Sequence, residues 1–150
     1  MEEVFINRAI ELSMIQTEGG PFGAVVVQNH KIVGEGWNQV TGLNDPTAHA
    51  EMQAIRSACK NLGTFDLSSC VIYTSCKPCP MCAAAILWAR ITRVYYVCTA
   101  EDAAYAGFDD KRFGELLPCI EEQYTQVTGK HKAGLVAMRK WLENPSKTEY

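Results

Sequence analysis

A layered α/β domain, with helices on both faces of a sheet, is the fold class this sequence predicts, and three observations predict it. Two short apolar runs, Ala24 to Val27 and Lys31 to Glu35, flank Gln28-Asn29-His30 as the arms of a hairpin would. Beyond them, strand-like runs alternate with stretches of helical period. Strands joined through helices pair in parallel, so an antiparallel hairpin beside them makes the sheet mixed.

Each element has its own warrant. Phe5, Ile6, Ala9, Ile10 and Met14 recur at spacings of three and four, which predicts an amphipathic helix over residues 2–16. Gly19-Gly20-Pro21-Phe22-Gly23 then breaks it. A second helix is expected to open at Asp45-Pro46, with Asp as N-cap and Pro in the first turn, where its missing N–H costs nothing. Ala48, Met52, Ile55, Cys59 and Leu62 continue one face, and Gly63 can end it. Val71-Ile72-Tyr73-Thr74 is the third strand, and Pro80 starts a helix running through Trp88. Arg93 to Cys98 is the fourth strand, Glu101 to Gln123 a loop plus helix, Tyr124 to Thr128 the fifth strand, and Ala133 to Leu142 the last helix. With no repeat, low-complexity tract or linker, residues 1–150 are expected to form one domain.

Composition narrows the classes of function. The chain is 47% hydrophobic and 21% charged, which excludes disordered and fibrous proteins. No run approaches the roughly 18 apolar residues of a spanning helix. Met1-Glu2-Glu3 carries acids where a secretory leader carries bases, so a cytoplasmic protein is expected. A net charge of −3 favours a small substrate over a polynucleotide, whose backbone recruits Lys and Arg. Seven cysteines, an odd count, argue against a disulfide framework. Cys59, Cys70, Cys98 and Cys119 sit in apolar stretches and are expected to be small buried hydrophobes.

Two fragments carry chemistry: His49-Ala50-Glu51 and Pro78-Cys79-Pro80-Met81-Cys82. H-x-E followed by P-C-x-x-C is the signature of zinc-dependent deaminases. One imidazole and two thiolates supply three tetrahedral ligands, and a catalytic site keeps the fourth position open. Cys79 and Cys82 flank a helix start, where the helix dipole favours thiolates. Glu51 lies about 200° around the helix from His49. It is therefore poorly placed as a ligand of the same ion and well placed to move protons beside it. A closed structural site of His49 with Cys76, Cys79 and Cys82 is the rival arrangement, and it leaves Glu51 without a task. His30 and His131 sit in polar, turn-like contexts and are expected to be exposed.

The sequence resembles the cytidine-deaminase-like superfamily and, within it, the bacterial guanine deaminase group. The likeness is carried by Gly19 to Val25, by Asn44 to Glu51, by Tyr73 to Cys82, by Ala106-Gly107-Phe108-Asp109-Asp110 and by the Glu149-Tyr150 ending. It implies a three-layer α/β/α fold on a five-stranded mixed sheet, one zinc ion per chain, and a homodimer with an exchanged C-terminal segment. It implies zinc on His49, Cys79 and Cys82, with Glu51 as proton shuttle. It matches Asp110 to a carboxylate at the purine's amidine edge, Asn38 to a purine hydrogen-bonding position, Phe22 and Trp88 to aromatics near the base, and Tyr150 to a residue closing the pocket. Each of these last five also has a structural use: Phe22 and Trp88 as core anchors, Asn38 in a turn, Asp109 or Asp110 as a cap, Tyr150 as tail. Lys77 departs from the glutamate common in relatives, which leaves fine substrate choice open.

Hydrolysis of guanine to xanthine and ammonia, in purine salvage or catabolism, is the activity the resemblance implies. Guanosine, cytosine or an amino-triazine are alternative substrates of the same chemistry, as is adenosine in tRNA. A catalytically silent zinc-binding module is a third class, and it gives Glu51 no role.

Overall fold

The computed structural model describes residues 2–127 and 129–150. Helix α1 (Glu2–Ser13) leads into the hairpin β1 (Gly23–Gln28) and β2 (Lys31–Trp37). Asn29 and His30 turn it with φ of 49° and 60°, the double positive-φ geometry that matches strand twist. The short helix α2 (Val40–Leu43) and helix α3 (Ala50–Leu62) follow, then β3 (Val71–Cys76), α4 (Pro80–Trp88) and β4 (Arg93–Cys98). The chain ends with α5 (Ala100–Tyr105), α6 (Asp110–Leu116), a 3₁₀ helix (Leu117–Gln123) and α7 (His131–Glu143).

Among the described residues the sheet has four strands in the order β2-β1-β3-β4. β1 pairs antiparallel with both β2 and β3, and β3 pairs parallel with β4, so the sheet is mixed as expected. The fifth strand expected from Tyr124 onward is not formed among the described residues: Tyr124 to Val127 belong to no strand, and Thr128 lies outside the described residues. Alternating residues supply strand propensity, but a strand needs an edge to pair with.

Alternation along β1 builds the two cores. Val25 and Val27 pack with Phe5 and Leu12 of α1 and with Val71 and Tyr73 of β3. Ala24 and Val26 pack on the other face with Ala50, Ala54 and Ala58 of α3 and Ile86 of α4. The approach of α3 to β2 is closest at Gly34 and Gly36. A Cβ on Gly36 would stand 2.2 Å from the Ala50 carbonyl oxygen, and one on Gly34 2.4 Å from that of Ala54. Hydrogen in place of a side chain therefore lets α3 lie directly on the sheet, and α3 begins beside His49.

The structure corrects two further expectations. α3 starts at Ala50 rather than Asp45, because the Asp45 carboxylate accepts from the Thr47 N–H (2.8 Å) and hydroxyl (2.7 Å), closing a turn of its own. Cys98 and Cys119 are exposed rather than buried, whereas Cys70 is buried and Cys59 half-buried.

Candidate active site

Two helices begin with residues that are poor caps. His49 is the N-cap of α3 and Cys79 the N-cap of α4, both extended (ψ 157° and 168°), and neither side chain caps its helix. The side chains turn toward each other instead. His49 Nδ1 stands 3.6 Å from Cys79 Sγ and 3.6 Å from Cys82 Sγ. Zinc bonds of about 2.05 Å to nitrogen and about 2.3 Å to sulfur, at a tetrahedral angle of about 109°, separate the two atoms by about 3.5 Å. The trio thus fits zinc without rearrangement, and its ligand atoms lie within 4.8 Å of one another. Cys76 is engaged elsewhere: its Sγ donates to the Thr99 carbonyl at 3.5 Å.

Charge follows geometry. The Cys82 thiol donates to Cys79 and, with His49 beside it, holds Cys79 down to about 4. Cys82 is pushed up, first by that same bond and then by burial and the Glu51 charge. His49 is raised, chiefly by its bond to Cys79. Zinc would hold both sulfurs as thiolates.

Glu51, only 7% exposed, lies in the first turn of α3 beside Cys82. Burial pushes its carboxyl up to about 7, with the Cys79 charge adding. Asp110 begins α6 and is half-buried; burial and then the Cys79 charge raise its carboxyl too. His49, Glu51, Cys79 and Asp110 share a cavity of about 390 Å³ with Phe22 and Asn38. Asp109 lines a different recess, on the outer side of α6.

Asn38 is buried at the end of β2, and its Oδ1 accepts from the N–H of Gly20 (3.1 Å) and of Val40 (3.2 Å). The amide is fixed by those two bonds, which leaves its Nδ2 hydrogens for another acceptor. Phe108 and Lys77 also line the cavity. Phe108 belongs to the Gly-Phe-Asp-Asp segment, and an aromatic beside a candidate site carboxylate was the signal for it. Trp88 and Tyr150 do not line this cavity within one chain. They meet each other at 6.1 Å between ring centroids, in a separate recess with Phe65 and Arg90.

A layered mixed sheet that presents one imidazole and two sulfurs at converging helix N-termini, with a buried carboxylate beside them, defines a zinc-binding deaminase domain. The chain belongs to the cytidine and deoxycytidylate deaminase family, whose zinc-binding-region model matches residues 2–98. It is 55% identical to a guanine deaminase of Bacillus subtilis (strain 168), covering 99% of this chain and 98% of that protein. An X-ray structure of guanine deaminase from Bacillus subtilis superposes with a TM-score of 0.92 at 45% identity, covering 100% of this chain and 99% of that one. A tRNA-specific adenosine deaminase of Buchnera aphidicola subsp. Schizaphis graminum is 37% identical, covering 75% of this chain and 76% of that protein.

Proposed function

We propose that this chain hydrolyses guanine to xanthine and ammonia, as one catalytic domain over residues 1–150. The carrying observation is the cavity that holds both the His49, Cys79 and Cys82 trio and two carboxylates, Glu51 and Asp110. Its volume falls in the range of small-ligand pockets. Near-full-length identity to a guanine deaminase supports the choice of base.

His49, Cys79 and Cys82 would hold the zinc, which would supply Lewis acidity to lower the pKa of a water toward about 7. Glu51 takes one proton from the attacking water and gives it to a ring nitrogen of the base; it then takes the second from the new hydroxyl on the ring carbon and gives it to the amine, so that ammonia leaves as the carbonyl forms. Asn38 donates through Nδ2 to an acceptor on the purine. The Asp110 carboxylate accepts from the N–H donors of guanine's amidine edge, and adenine would leave it unpaired. Phe22 presents its ring to the flat base.

We also infer a homodimer with an exchanged C-terminal segment. α4 is apolar all round, yet Leu87 is 70% and Trp88 64% exposed, and such a helix calls for burial on every side. Every described residue of α7 is likewise at least partly exposed, including Val136, Met138 and Trp141. A partner's tail is then the route by which Tyr150 reaches a pocket and Trp88 comes to lie near a base. No two of the seven cysteines are joined in a disulfide, which suits a reducing compartment such as the cytoplasm. Among the described residues no helix is long and apolar enough to cross a membrane.

Ammonia release from guanine, guanosine, cytosine, adenine, amino-triazines and tRNA, measured on zinc-loaded protein, tests the substrate. Guanine is expected to turn over and adenine to be inert. Conversion of cytosine or guanosine with guanine untouched overturns the reading.

A further inference from the structure

The segment carrying Asp110 is weakly tied to the body of the protein. From Ala100 to Leu116 only Ala103 is buried, with Ala100, Phe108 and Asp110 half-buried and the rest exposed. Gly107 turns the chain with a φ of 95°, and the Phe108 N–H then donates to the Ala103 carbonyl at 2.9 Å. That turn aims the Phe108 ring into the cavity wall. There it meets Phe22 edge to face, with centroids 4.8 Å apart and planes at 80°.

The ring is seated on Gly20. A Cβ at Gly20 would stand 2.8 Å from Phe108 Cζ and 3.2 Å from Phe22 Cε2, so the seat exists only while residue 20 has no side chain. Gly20 is itself held by its N–H bond to Asn38 Oδ1. One chain of contacts, Asn38 to Gly20 to Phe108, therefore ends two residues from Asp110 and links two of the polar groups that face the cavity, Asn38 and Asp110.

We propose that Phe108 is a positioning residue: its ring, seated on Gly20 and edge-on to Phe22, locks the Asp110-bearing segment onto the glycine loop and fixes the Asp110 carboxylate at the cavity. The proposal rests on the reading that this cavity takes the base. It assigns to Phe108 the mutual register of the Asn38 donor and the Asp110 acceptor, which a flat ligand must meet together.

The test uses full-length, zinc-loaded Phe108→Ala, Phe108→Leu, Gly20→Ala and the Gly20→Ala/Phe108→Ala double variant. Phe108→Ala is expected to lower kcat/KM on guanine roughly 10- to 100-fold, mostly through KM, as small misplacements of positioning groups do. Bound zinc stays at one per chain, and Phe108→Leu recovers part of the loss. Gly20→Ala costs as much in the wild-type background but little more once the ring is gone. Hydrogen exchange across residues 100–116 reads the lock without substrate and is expected to rise in Phe108→Ala. Unchanged exchange, an unchanged kcat/KM, or equal Gly20→Ala losses in both backgrounds overturns the lock. A wild-type protein inert on guanine overturns the substrate reading alone, because exchange still reports on the ring.

Discussion

Residues up to Ile91 and residues beyond it differ in how they are held. Among the described residues, every buried hydrophobic side chain except Ala103 lies at or before Ile91. The metal trio and Glu51 come from the packed part, at the starts of α3 and α4. Asp110, Phe108 and Tyr150 come from the other, where α6 and α7 have no buried residue. The difference teaches a division of labour. Ligands need fixed positions within fractions of an ångström, which a two-sided core supplies. On the proposed reading, Asp110 and Tyr150 meet the substrate from segments whose packing is completed elsewhere, on the Gly20–Phe22 wall or on a partner, whereas Asn38 and Phe22 meet it from the packed part.

The sharpest way to break that comparison is at Glu51. Glu51→Ala is expected to lower kcat on guanine by about 10²- to 10⁴-fold while zinc stays bound, the scale of a lost proton shuttle. His49→Ala should lose both the metal and the activity, measured as zinc per chain after dialysis. If Glu51→Ala also empties the site of zinc, the carboxylate is a ligand and its assigned role is wrong.

Packing gives the next largest effect. Ile72 is fully buried between β1 and β4, so Ile72→Ala is expected to cost about 2–5 kcal/mol. Met138, 64% exposed on α7, should cost less than about 0.5 kcal/mol in dilute protein. If α7 is covered by a partner, the Met138→Ala penalty grows with protein concentration, as association requires. Denaturant melts at two concentrations decide it; a large penalty for Met138 that is independent of concentration would erase the contrast between the regions.

How much was legible in the sequence follows the same boundary. Local rules placed the Asn29-His30 turn, β3, β4, the start of α4 and the H-x-E and P-C-x-x-C ligands, because each is decided by residues within a few positions. They misplaced the start of α3, since Asp45 had two uses for one carboxylate and closed a turn with Thr47 instead of capping a helix. Nothing in the spacing shows that His49 must be extended for Nδ1 to reach both sulfurs. The strand expected at Tyr124, the burial expected of Cys98 and Cys119, and the partner of the Phe108 ring all depend on long-range pairing, to which local pattern is blind.

Substrate reading in the looser region has a smaller cost. Asp110→Asn keeps the shape but replaces a charged acceptor for guanine's N–H donors by an amide. Hydrogen bonds to charged groups contribute about 1.5–3 kcal/mol, so kcat/KM on guanine should fall by about 10- to 150-fold with zinc retained. Asp109→Asn, on the outer recess, should change it little. Equal losses at the two positions would mean that the helix start, rather than the cavity-facing carboxylate, matters.

The smallest effect belongs to a contact inside the packed region. Arg8 of α1 grips Glu35 of β2 with two bonds, Nε to Oε1 at 2.8 Å and Nη2 to Oε2 at 3.0 Å. The Arg8 hydrogen bond, opposed by partial burial, holds the Glu35 carboxyl below its ordinary value. A depressed carboxylate contributes stability above its unfolded pKa of about 4.3 and loses it as pH falls through the lower folded value. Both side chains are over a third exposed or close to it, at 40% and 35%, so solvent screening limits the contribution to about 1 kcal/mol or less. Thermal melts of wild type between about pH 6 and 3 should therefore steepen relative to Glu35→Gln, which has no proton to take up there. Parallel slopes would show that the pair adds nothing to the tie between α1 and β2, leaving the Phe5 and Leu12 contacts to hold that face alone.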